Sequence, residues 1–176
     1  MHTNRRLCAA ASVAALLLTA SAAAATSAAA TGTRHATAPA PGPGLAPACK
    51  EKDLTLKVTA APTPDVLALR FTNNGTRACT VDRIPTVSFG KLDGAARPVP
   101  QVGSAPYTVG AKASAYATVR TVLAPPSPAD VRVVRDIVVA ADPAHRGRRI
   151  TAAALGLPAG VRVYDPVTSL WQPTAR

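Results

Sequence analysis

The chain has 176 residues, of which 48% are hydrophobic and only 3% aromatic, and it carries a formal net charge of +11. That length fits one domain of ordinary size, and much of the hydrophobic fraction is alanine gathered near the N-terminus. Arginines without interleaved aromatic residues argue against nucleic-acid recognition as a purpose.

Residues 1–30 read as a secretory signal peptide. Arg5 and Arg6 form a basic start, and Leu7 to Leu18 is an apolar run, close to the roughly 7–15 residues such signals use. Small residues follow from Thr19, with cleavage options after Ala22 or Ala30. A retained anchor is the alternative, but no basic stop-transfer cluster follows the apolar run. Cys8 opens that run instead of following it, which argues against lipidation.

Residues 31–48 alternate Pro, Gly, Ala and Thr. Such a composition cannot bury a core and reads as a flexible linker, so His35 within it is expected to be solvated. The folded domain is expected over residues 49–176. Its segments alternate with the period of half-buried strands. Leu54, Leu56 and Val58 share one face of the first, and Leu67, Leu69 and Phe71 one face of the second. Val87 and Phe89 mark a third strand, and Ala117, Val119 and Thr121 a fourth with Arg120 outward. "VRVV", "DIVVAA" and "GVRVYDP" complete seven, and "ITAAALGL" offers a single helical turn. No amphipathic helix joins the strands, which excludes parallel β-α-β units. Seven short strands separated by turn signals predict an all-β, antiparallel, immunoglobulin-like β-sandwich. The Cys…Trp…Cys spacing of immunoglobulin domains is absent, because Trp171 lies beyond both domain cysteines.

Removal of the signal leaves Cys49 and Cys79. An even count in an exported chain predicts a disulfide, worth about 3–4 kcal/mol for a loop of this size in the chain-entropy model. Between them, Asn74-Gly75 predicts a type I′ hairpin turn, and Asn73 is placed to bond the backbone of that turn. Asn74-Gly75-Thr76 is also a glycosylation sequon, for which the turn is the simpler reading.

These residues carry a resemblance. The early Cys49, the strand ending in Thr72-Asn73 with Gly75, Cys79, the Pro85/Val87 step, and the turn from Gly110 to Ala115 resemble a family of secreted actinobacterial domains. That family is known as domain of unknown function 4232. Arg83 and Ile84 stand where the family has glycine and an aromatic residue, and the second cysteine pair of many members is missing. The resemblance spans about Cys49 to Pro166. It implies a secreted immunoglobulin-like sandwich and transfers no catalytic residue.

Catalytic signatures are absent: there is no Gly-x-Ser-x-Gly elbow, HExxH or phosphate loop. The aspartates are scattered singly, and the domain histidine, His145, lies in "DPAHRGRR", which reads as a basic loop. An enzyme would need one pocket that gathers several acids or His145. No cofactor or metal is expected, since copper needs softer ligands and calcium needs clustered oxygens. The expected function is a non-catalytic binding or structural module of the bacterial envelope or extracellular space. Arg146, Arg148 and Arg149 are the candidate contacts to an anionic cell-wall polymer. The alternative is a protein-interaction or inhibitor domain that uses sandwich-end loops such as residues 91–107.

Overall fold

The computed structural model describes residues 46–125 and 127–175. The signal peptide, its cleavage options, Cys8 and His35 lie outside the described residues. Hydrogen bonds of the fold reach back to Ala46 and Pro47, whose carbonyls accept from Thr80. The described residues therefore include the last three of the expected linker.

Twelve short strands and three single 3-10 turns make up the described chain: β1 (Leu54–Ala60), β2 (Val66–Asn73), β3 (Cys79–Asp82), β4 (Thr86–Phe89), β5 (Arg97–Pro98), β6 (Pro106–Val109), β7 (Ser114–Arg120), β8 (Arg132–Val134), β9 (Asp136–Ala140), β10 (Arg148–Thr151), β11 (Val161–Val163) and β12 (Val167–Thr168). The largest sheet runs β1-β2-β7-β12-β5, and a second runs β10-β9-β4. Two-stranded pieces, β11-β8 and β3-β6, complete the all-β fold. Every strand pair is antiparallel except β12 with β5. No helix of the described residues is long and apolar enough to cross a membrane.

The alternation seen in the sequence positions the core. Leu67, Leu69 and Phe71 on β2 and Ala115, Ala117 and Val119 on β7 form buried rows of the larger sheet. Val87 and Phe89 on β4 join Ile137 and Val139 on β9 in the same apolar cluster from the second sheet. This sandwich-like core is consistent with the immunoglobulin-like architecture expected. "ITAAALGL" forms one 3-10 turn, Ala153–Leu155, closed by Gly156 in the left-handed region. Such φ values suit glycine, which has no Cβ to clash.

Trp171 is fully buried and meets the Phe71 ring edge-on, with centroids 4.7 Å apart. Its indole N–H donates to the Ala141 carbonyl at 2.7 Å. The C-terminal segment thus supplies an aromatic core residue.

Two expectations need correction. Asn73 to Gly75 do not close a hairpin, because β2 pairs with β1 and β7 while β3 pairs with β6. Neither Asn74 nor Gly75 has the positive φ of a type I′ turn. The segment instead carries the chain from one sheet to another. Residues 91–107 are not simply an end loop either: they hold β5 and the start of β6, each paired to another strand.

Candidate functional site

β1 and β10 each end their sheet, so each has an edge with no strand partner among the described residues. In an antiparallel pair, alternate residues turn their N–H and C=O toward the partner. The bonds Asn74 N–H to Asp53 C=O and Ala61 N–H to Val66 C=O set that alternation for β1. Thr55, Lys57 and Thr59 therefore face β2, and Leu56, Val58 and Ala60 turn their amides outward, as does Leu54, whose N–H donates to the Glu51 carbonyl. The Ala152 N–H to Arg135 C=O bond sets β10 likewise, so Arg149 and Thr151 present the free amides there.

Between these edges lie two adjoining cavities of about 210 Å³ and 340 Å³, which share Leu56 and Arg148 in their linings. Glu51 and His145 line one end, and Ile150 and Thr151 the other. Leu54, Leu56, Val58 and Ile150 are half-buried against the core. The result is a cleft with an apolar floor and main-chain hydrogen-bonding groups along its rims.

The three candidate arginines do not form one loop. Arg148 and Arg149 are successive residues of β10 and so point to opposite faces. Arg148 pairs with the buried Val139, which puts its side chain on the core-facing side, at the mouth of the cleft. Arg149 pairs with Val138 on the outer face and is ion-paired to Asp136 at 2.9 Å. Arg146 lies on the turn before β10, and its backbone N–H donates to Glu51 Oε2 at 2.9 Å. Among the described residues, the side chains of Lys57, Arg146 and Arg148 have no carboxylate within ion-pair distance. The second arginine of the strand is thus ion-paired, whereas Lys57, Arg146 and Arg148 around the cleft are not.

One end of the cleft is held by a buried polar pair. His145 Nδ1 lies 2.6 Å from Asp142 Oδ1, and both side chains are 8% exposed. His145 Nε2 lies 3.1 Å from the Cys49 carbonyl. Asp142 also accepts from the backbone N–H of Asp82 and of Ala144, each at 2.9 Å. Burial pushes the Asp142 carboxyl up, but the His145 side chain, the two N–H donors and the imidazole charge outweigh it and hold the group below its ordinary value. Glu51 accepts from Arg146 and Gly147 backbone N–H groups on the same turn. Gly147, at φ +73, lies so close to the Val139 carbonyl that a Cβ would come within 2.5 Å of it. The cleft does bring Glu51 and His145 together, yet the carboxylate and both ring nitrogens are engaged by the protein itself. The His145–Asp142 pair braces this end of the cleft against the disulfide-bearing segment.

The disulfide forms as expected, with Cα atoms 4.8 Å apart. Asn73 continues the inward row of β2 and is 1% exposed. Its Oδ1 accepts from the Gly75 N–H at 2.9 Å. Its amide group donates to the carbonyls of Arg77, Val109 and Gly110. Val109 is paired with Cys79, so Asn73 ties the larger sheet to the disulfide-bearing strand. Asn74 bonds Thr55 through its side chain and accepts from Lys112 Nζ at its carbonyl.

Sequence reasoning missed the His145–Asp142 brace and the turn of Arg148 into the cleft. The Asp-x-x-His spacing in "DPAH" was the available signal for the first. Alternation along "RRIT" was the signal for the second. The other aspartates serve as ion-pair partners and turn residues: Asp65 meets Arg162 and Asp165 meets Arg97. No cluster of three or more metal-ligating side chains occurs among the described residues.

No curated protein and no solved structure matches the chain. The family model described as Domain of unknown function (DUF4232) matches residues 49–170, from the first disulfide cysteine to the residue before Trp171. The chain belongs to that family.

Proposed function

We propose that this is a secreted, non-catalytic binding module of the bacterial envelope or extracellular space, and that it engages a protein partner through the β1–β10 cleft. The observation that carries the reading is the pair of unpartnered strand edges flanking an apolar floor. Free edges are ready templates for pairing with another chain, and natural sheets commonly cover or blunt them. The expected end loop, residues 91–107, is a weaker candidate because part of it is already paired within the fold.

A second reading is association with an anionic envelope polymer. The excess of basic over acidic residues beyond the signal peptide favours it, as do the carboxylate-free side chains of Arg146 and Arg148. Affinity cross-linking of the domain from Ala46 onward against secreted and wall fractions, at low and high salt, separates the two. A stoichiometric protein adduct that persists in high salt supports the first. Retention on purified wall that disappears as salt screens the charges supports the second, and retention of nothing defeats both.

A further inference from the structure

We infer that the free edge of β1 receives an extended acidic segment of a partner protein as an added strand. The inference rests on the protein-partner reading and names the chemistry of the partner.

The hydrogen-bonding groups choose the class of polymer. Leu56, Val58 and Ala60 each offer an outward N–H and an outward C=O along one line, while the Leu54 N–H is already donated to the Glu51 carbonyl. A peptide supplies acceptors and donors in alternation, at the same spacing of about 3.3 Å per residue, and can match both. A phosphate-bearing polymer supplies mainly acceptors and would leave the β1 carbonyls without donors.

The side chains choose the sequence. A strand added to β1 alternates between the cleft and the outer face. Its inward residues join the row Leu54, Leu56 and Val58, opposite Ile150, and so must be apolar. Its outward residues flank Thr55, Lys57 and Thr59, where the one charge is the Lys57 ammonium. Arg148 stands at the mouth of the cleft without a carboxylate among the described residues. Neither position favours a basic guest. Both are complementary to a segment that alternates acidic and apolar residues.

The test uses the disulfide-intact chain and a synthetic peptide of alternating glutamate and valine, as long as the seven residues of β1. Amide NMR shifts and titration are recorded together. The expected result is saturable binding that moves and protects the Leu56, Val58 and Ala60 amides. N-methylation of alternate peptide nitrogens removes edge bonds without changing charge, and weakens binding by more than about tenfold if each bond is worth its usual net value. Lys57→Ala and Arg148→Ala each weaken binding by about two- to fivefold, the range of single exposed ion pairs. Both positions are exposed, so the variants should fold, and an unchanged amide spectrum away from β1 verifies it. Equal binding of the N-methylated peptide, or of a lysine–valine peptide, overturns the inference. So does binding of a poly(glycerol phosphate) chain by a protein whose β1 amides ignore the peptide; that result selects the polymer reading. Peptide shifts confined to another surface overturn strand addition while leaving a protein partner in place.

Discussion

Two adjoining regions of this molecule handle their polar groups in opposite ways. Around Cys49–Cys79, every polar group that enters the interior has a partner: Asn73 bonds four backbone groups, and Asp142 meets His145, Asp82 and Ala144. No buried side-chain N or O atom among the described residues lacks a hydrogen bond. Along β1 and β10, the main chain instead leaves rows of donors and acceptors turned outward beside half-buried apolar side chains. A buried polar group left unmatched is costly, so a satisfied network fixes one arrangement. An exposed edge costs little in water and can exchange water for another chain. The contrast separates framework from binding surface more sharply than charge does.

Changes on the framework side should dominate stability. Trp171→Ala removes a fully buried ring packed edge-on against Phe71 and is expected to cost about 3–5 kcal/mol in chemical denaturation. Replacing both Cys49 and Cys79 by alanine should cost about 3 kcal/mol. Asn73→Ala strands the groups its amide serves and should cost about 1–3 kcal/mol. If any of these leaves the denaturation midpoint unchanged, the closed region is not the framework described.

Acid gives a finer test of the same region. The Asp142 carboxyl is held below its ordinary value, so its ionised form favours the folded state. That contribution is fully present above the unfolded carboxyl value of about 3.9 and is lost as pH falls through the lower folded value. Stability measured against pH should therefore drop more steeply in acid for the native protein than for Asp142→Asn. Parallel curves would remove the brace from the account. On the cleft side the expected effects on stability are smallest: Lys57→Ala and Arg148→Ala should stay within about 0.5 kcal/mol of the native protein.

Much of the framework could be read from residue order, and most of the cleft could not. Strands with clean alternation, such as Leu67-Leu69-Phe71 and Val87-Phe89, announce themselves because burial of one face demands it. The disulfide followed from cysteine count. β3, β5, β6, β10 and β12 were missed because they are two to four residues long and hold prolines, arginines or threonines. Their strand state comes from partners distant in the chain. The Asn74-Gly75 pair misled for a related reason. Its local preference for a hairpin is overridden by Asn73, whose buried side chain reaches Val109 and Gly110 and sends the chain to another sheet. Arg146 to Arg149 read as one basic loop, although pairing with β9 divides them between two faces. Had the row from Leu67 to Phe71 been extended by two, Asn73 would have stood out as a buried polar residue.

The central claim is that β1 presents an open edge, and amide hydrogen exchange of the free protein tests it most directly. The account predicts alternation within one strand. Thr55, Lys57 and Thr59, bonded to β2, exchange slowly, while Leu56, Val58 and Ala60 exchange rapidly. Uniform protection along β1 would mean that the edge is already covered, and would contradict the account.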